Sequence, residues 1–82
     1  MSDSASLNKL RWRCRRGALE LDVMLLRYLE GCYMSADEFD QQSFIKLLER
    51  EDTELLRYLI GENAEYPSEL TKIILKIRAL SA

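Results

Sequence analysis

Arg15-Arg16-Gly17-Ala18-Leu19-Glu20-Leu21-Asp22-Val23-Met24-Leu25-Leu26-Arg27-Tyr28-Leu29-Glu30-Gly31 is the stretch that decides how this chain folds. Between its two glycines, Leu19, Leu21, Val23, Met24, Leu25, Leu26, Tyr28 and Leu29 cover most of the circumference of a helix. Such a pattern predicts a helix from about Ala18 to Glu30 that is central and more enclosed than any other. Gly17 and Gly31 punctuate it, since glycine is the default residue just past a helix end.

Working outward, the neighbouring segments also read as helices. Leu7, Leu10 and Cys14 fall on one stripe of a helix running from Leu7 to Arg15 or Arg16, and Trp12 lies opposite that stripe. Residues 1–5 are small and polar and read as a frayed tail. Downstream, Ser35-Ala36-Asp37-Glu38 has the form of a capping box with Ser35 at the N-cap. The helix it opens extends to about Arg50, burying Phe44, Ile45, Leu47 and Leu48, with Phe39 at its margin. Asp52 suits the N-cap of a short fourth helix through Ile60, stopped by Gly61. Pro67 suits the first turn of a last helix striped by Leu70, Ile73, Ile74, Ile77 and Leu80. No segment alternates like a strand and no repeat is present. The fold expected is all-α: a single domain over 1–82, built as a compact five-helix bundle.

Eighty-two residues bury a bit over ~60% of the surface their unfolded chain exposes, so the core is thin. There is no histidine, which removes the commonest general base and the commonest nitrogen ligand of a metal. No catalytic residue and no metal site is expected, and a stand-alone enzyme is disfavoured. Cys14 and Cys32 stand in no C-x-x-C pattern and read as reduced thiols acting as small hydrophobes. No apolar run approaches the ~18–20 residues of a membrane span, and residues 1–10 lack the apolar core of a signal peptide. A cytoplasmic protein is the expectation.

The formal charge of −2 hides a segregation. Residues 9–27 carry Lys9, Arg11, Arg13, Arg15, Arg16 and Arg27 against Glu20 and Asp22, whereas 28–69 carry three basic side chains against eleven acids. One end of the molecule is built to meet something negative. Within it, Arg16-Gly17-x-x-Glu20 reads in two ways. As a helix junction, Gly17 supplies the backbone angles, Glu20 complements a helix dipole, and Arg16 and Glu20 form a surface ion pair. As a contact site, Gly17 lets another backbone approach and Arg16 offers a planar fork to a carboxylate, phosphate or carbonyl. Trp12 either folds under the last helix or presents an apolar face to a partner, with an arginine stacked on its indole. Asp22 falls within the apolar arc of the second helix and should be paired, an arginine of the first helix being the natural partner. The acids of 37–54 read as caps and a solvated face.

Two motifs then converge on one family. Trp12-x-Cys14-Arg15-Arg16-Gly17-x-x-Glu20-Leu21-Asp22, followed by Phe44-x-x-Leu47-Leu48-Glu49-x-x-Asp52-x-x-Leu55-x-x-Tyr58-Leu59, resembles the bacterial succinate dehydrogenase flavinylation factors (SdhE or YgfY, formerly the antitoxin CptB). The likeness runs from about residue 7 to 80, with no departure from the core motif. It implies a five-helix assembly chaperone that binds the flavoprotein subunit of succinate dehydrogenase, or of fumarate reductase, and promotes covalent attachment of FAD. It also implies a functional surface at Arg16, Gly17 and Glu20, which we extend by position to Trp12, Arg15 and Asp22. The factor would hold no cofactor tightly itself. The chain offers no residue set to form a bond to a flavin, so the partner would supply the nucleophile and this protein the arrangement. A monomeric bacterial protein is expected. Nucleic-acid binding by the Arg-rich first helix is the leading alternative, disfavoured by the acidic balance, and a toxin-neutralising adaptor is another.

Overall fold

The computed structural model describes the backbone of residues 2–62 and 64–81, and side chains over 7–62 and 64–80. Five α-helices follow one another: α1 (Ser2–Cys14), α2 (Leu19–Gly31), α3 (Glu38–Leu48), α4 (Asp52–Leu59) and α5 (Thr71–Ser81), with a 3₁₀ turn at Tyr33–Ser35. No strand occurs among the described residues. The all-α, five-helix expectation holds. The radius of gyration, 11.9 Å, is that of a compact chain of this length.

Helix α2 packs against α1, α4 and α5, and α5 in turn against α3 and α4. The core is the meeting of Leu21, Leu25, Tyr28 and Leu29 with Phe44, Leu47 and Leu48, with Leu55, Tyr58 and Leu59, and with Leu70, Ile73, Ile74 and Ile77. The Tyr28 and Phe44 rings lie 4.8 Å apart between centroids. Leu10 and Cys14 of α1 close one side, with Leu7 half-buried against it. Both cysteines are free thiols, and burial pushes that of Cys14 up to about 12.

Several expectations are corrected. α1 begins at Ser2 and ends at Cys14, ahead of both predicted limits; the side chains of the expected tail at 1–5 lie outside the described residues. α3 is capped by Asp37, whose side chain accepts from the Asp40 N–H at 2.8 Å, rather than by Ser35. Ser35 closes the 3₁₀ turn, its hydroxyl donating to the Cys32 carbonyl. α3 also ends at Leu48 rather than near Arg50. Glu51 takes the N-cap position predicted for Asp52, and the Glu54 side chain reaches back to the Glu51 N–H. Pro67 stands ahead of α5, its carbonyl receiving the Leu70 N–H and the Thr71 hydroxyl. Leu80 is part-exposed rather than core, and α2 is not enclosed all round, because Leu19 and Val23 face solvent.

Asp40 is the largest departure from a solvated acidic face. It is only 2% exposed, wedged between α3 and α5 with the ammonium groups of Lys76 and Lys72 on its carboxylate. The hydrogen bond from Lys76 holds its pKa below the ordinary carboxylate range, against burial, which pushes it up. Gly61 marks a close approach: a side chain there would put its Cβ 2.7 Å from the Arg57 carbonyl oxygen. Arg78 closes the same helix end, donating to the Tyr58 and Gly61 carbonyls at 2.9 and 3.0 Å.

Candidate functional site

The site is the loop from Arg15 to Ala18 that joins α1 to α2, together with the helix ends on either side of it. Gly17 sits at its apex with φ +88°, in the left-handed region that favours glycine. Nothing lies within 4 Å of where its Cβ would stand, so the apex is open and only the backbone geometry demands glycine.

Two side chains hold the loop from inside. The Asp22 carboxylate accepts the Arg16 backbone N–H at 2.7 Å, tying the loop back onto the first turn of α2. The half-buried carboxylate is thus paired as predicted, but by an amide rather than an arginine side chain. The Arg16 guanidinium turns the other way. Its Nε donates to Asp52 at 2.9 Å, Nη1 to the carbonyls of Arg13 and Leu48 at 3.0 and 2.9 Å, and Nη2 to that of Arg50 at 2.6 Å. Four of its five N–H donors are therefore committed within the molecule. The Arg13 and Leu48 carbonyls belong to the last turns of α1 and α3, where unpaired acceptors and the negative end of the helix dipole favour a cation, and that of Arg50 lies in the α3–α4 junction just beyond. With its side chain only 16% exposed, Arg16 is a clamp between the α1–α2 loop and the α3–α4 junction. The ion pair predicted with Glu20 does not form; Asp52 takes that place.

The outward surface is made by other residues. Trp12 is 74% exposed and is not covered by the last helix. The Arg15 guanidinium carbon lies 6.0 Å from its ring centroid, the cation–aromatic pairing anticipated for this residue. Asn8, Arg11, Trp12 and Arg15 line a shallow cavity of about 340 Å³. Arg11 is held there by Asn8 at 3.0 Å and Glu30 at 3.4 Å. On the other side of Gly17, the exposed Glu20 has neither a hydrogen-bond nor an ion-pair partner among the described residues.

Of the six residues singled out from the sequence, Trp12, Arg15, Gly17 and Glu20 thus share the accessible surface around the loop, while Arg16 and Asp22 point inward to brace it. Leu19, 81% exposed, and Val23, 43% exposed, depart from the expected enclosure of α2, whose apolar residues cover most of its circumference. Their signal was the company they keep, since Glu20, Arg27 and Glu30 share their side of the helix wheel. No group of three or more metal-ligating side chains occurs among the described residues, and no described helix is long and apolar enough to cross a membrane.

A small helical domain with an open glycine apex on a braced loop, flanked by an uncovered indole and by a carboxylate without a partner among the described residues, has the form of a binding module. Comparison with known proteins gives the class a family. The model described as "Flavinator of succinate dehydrogenase" (Sdh5) matches residues 8–81, and this chain belongs to that family. Among its relatives, the FAD assembly factor SdhE of Coxiella burnetii is 39% identical over 82 residues, the whole of both chains. The protein of the same name in Xylella fastidiosa (strain Temecula1) is 42% identical over all of this chain and 84% of its own length. That of Shewanella oneidensis is 35% identical over 77 residues, 94% of each chain. No solved structure matches the chain. The resemblance read from Trp12 to Asp22 is borne out, and so is the reading as an assembly factor rather than an enzyme. The nucleic-acid and antitoxin alternatives gain nothing from these relatives.

Proposed function

We propose that this protein docks on the flavoprotein subunit of succinate dehydrogenase and promotes covalent attachment of FAD to that subunit. The observation that carries the reading is the placement of the family's Arg-Gly-x-x-Glu motif: Gly17 stands open at the apex of a loop that Arg16 and Asp22 brace from within, and Glu20 is exposed in the first turn of α2 beside it. A braced loop suits a factor that works by arrangement, because holding two reacting groups in place substitutes for chemistry of its own. In this reading Trp12, Arg15, Gly17 and Glu20 touch the partner, while Arg16 and Asp22 act through the loop they hold. The partner supplies the nucleophile and keeps the flavin, and this chain holds no FAD tightly on its own. The free protein is a monomer of the bacterial cytoplasm, and the flavoprotein subunit of fumarate reductase is a second target.

The test combines each apo-flavoprotein subunit with FAD, with and without this protein, and reads covalent flavin by fluorescence in a denaturing gel. Wild type should raise the signal. Gly17→Arg should leave a folded monomer that does not, and Glu20→Ala should lose the partner in a pull-down. Undiminished flavinylation with Gly17→Arg would sink the assignment of the site.

A further inference from the structure

We infer that the cavity between the C-terminal end of α2 and α5 binds a small neutral ring compound bearing a carbonyl, whose oxygen accepts a hydrogen bond from the Tyr28 hydroxyl. The site lies at the far end of α2 from the Gly17 loop and does not depend on the function proposed above.

The cavity measures about 330 Å³, and Tyr28, Cys32, Ala36, Lys76, Ala79 and Leu80 line it. That is the lower end of the range of small-molecule sites, roughly 300–1,000 Å³, and suits a single substituted ring. Tyr28 is 1% exposed, and its hydroxyl, shielded from water, has no hydrogen-bond partner among the described residues. A buried hydroxyl left unmatched is costly, so a partner for it is worth seeking. Burial, followed by the nearby Asp40 and Cys32, pushes the phenol up to about 12, which keeps it a donor at neutral pH. Cys32 belongs to the cavity wall, and its influence on the hydroxyl places that end of the ring on the cavity side.

The remaining polar groups narrow the occupant. The Ser35 hydroxyl is spent on the Cys32 carbonyl, and the Lys76 ammonium on Asp40. What is left, the Tyr28 O–H and the weak Cys32 S–H, calls for an acceptor rather than another donor. Charge is balanced as well: Lys72 and Lys76 sit on Asp40, and Asp37 also bears on Lys76. Neither an anion nor a cation is favoured, and a carbonyl on a neutral ring meets both requirements.

The experiment titrates the full-length protein with acetophenone and with ethylbenzene, which matches it in shape without the oxygen. Amide shifts are followed by NMR, with a melting curve of each variant. Both probes should shift the amides of Cys32, Ala36 and Ala79. Tyr28→Phe should weaken acetophenone about threefold to tenfold, the worth of one neutral hydrogen bond, and leave ethylbenzene unchanged. It should melt no lower than wild type, since the hydroxyl it removes is unmatched. Ala79→Phe, at an exposed position on the cavity wall, should exclude both probes. Shifts that are absent, lie elsewhere or survive Ala79→Phe would overturn the inference. So would a Tyr28→Phe variant that weakens both probes alike or neither, or that melts about 4 °C or more below wild type, because the hydroxyl is then bonded within the protein. The same amides shifted by the apo-flavoprotein subunit and by neither probe would assign the cavity to a protein side chain instead.

Discussion

Replacing Arg16 with alanine separates the two ways in which the motif's arginine can matter. Its guanidinium makes three hydrogen bonds to carbonyls and one to Asp52. A hydrogen bond involving a charged group is worth about 1.5–3 kcal/mol net, and the Asp52 contact, half open to water, adds less than about 1 kcal/mol. The contacts to the Leu48 and Arg50 carbonyls are part-buried and that to Arg13 is exposed, so each carbonyl regains some water once the side chain is gone. A total near 3 kcal/mol is therefore reasonable, against a stability of roughly 4–12 kcal/mol for a domain of this size. At about 4–8 °C per kcal/mol, the melting temperature should fall by roughly 12–24 °C. Arg16→Lys keeps the charge but cannot reach three carbonyls from one plane, so it should recover only a minor part. Asp52→Asn, which removes only the ion pair, should cost less than about 1 kcal/mol. Circular dichroism melts and urea titrations check all three. If Arg16→Ala melts within about 4 °C of wild type (less than ~1 kcal/mol) yet fails to support flavinylation, the guanidinium acts on the partner and the clamp is not its function.

Other consequences are quicker to test. Gly17→Ala should cost about 1–2 kcal/mol, because a residue with a Cβ is strained at φ +88° even in open space; proton exchange at the loop amides and a melt report it. Asp40, whose folded pKa is depressed, contributes stability that is fully present above about pH 4 and is lost as pH falls through its folded value. Asp40→Asn should therefore destabilise the protein at neutral pH and reduce the slope of its acid unfolding. Cys14, raised to about 12, should resist alkylation in the folded protein at pH 8. Its contribution runs the other way in pH, being present below about 9 and declining as pH rises toward 12. The half-buried Cys32 should react first. The single tryptophan, Trp12, should fluoresce like free indole in water and be quenched by iodide, with the quenching relieved when the flavoprotein binds.

The five helices were legible because glycine punctuation and a 3.6-residue apolar period agree over most of the chain. Leu70, Ile73, Ile74 and Ile77 are all buried as their spacing requires. Helix ends were less legible. Ser35 and Asp37 both suit an N-cap, and which one serves depends on the 3₁₀ turn ahead of α3, a feature no local pattern announces. Asp40 was hidden for a similar reason. The residues that follow it, Gln41, Gln42 and Ser43, are polar, and the lysines that permit its burial come from thirty-two and thirty-six residues downstream. Composition marks out the basic end of the molecule, and Trp12, Arg15, Gly17 and Glu20 are all exposed there. The orientation of Arg16 could not be read, since its acceptors are backbone carbonyls of Leu48 and Arg50, and a carbonyl has no signature in sequence.

That orientation bears on what the Arg-Gly-x-x-Glu motif is for. Read as a row of contact residues, it would need Arg16 and Glu20 side by side on the surface, where they would neutralise each other and offer a partner little. The fold separates them. Arg16 is drawn inward onto carbonyls at the end of α1 and at the α3–α4 junction, Asp22 takes the loop amide, and the exposed Glu20 has no counter-ion among the described residues. Had Arg16 not been occupied, it would stand four residues from Glu20 as its natural ion-pair partner. Clamping the arginine therefore does two things at once: it fixes the geometry of the Gly17 apex and it withholds the Arg16 charge from Glu20. On this argument Arg16→Ala should damage function less than its stability cost suggests once the fold is restored by a stabilising osmolyte or low temperature. Glu20→Gln should lose function at a stability cost of no more than about 0.3–1 kcal/mol, that of its charge at the N-terminus of α2. If instead the two variants fail alike under stabilising conditions, the arginine and the glutamate act on the partner together.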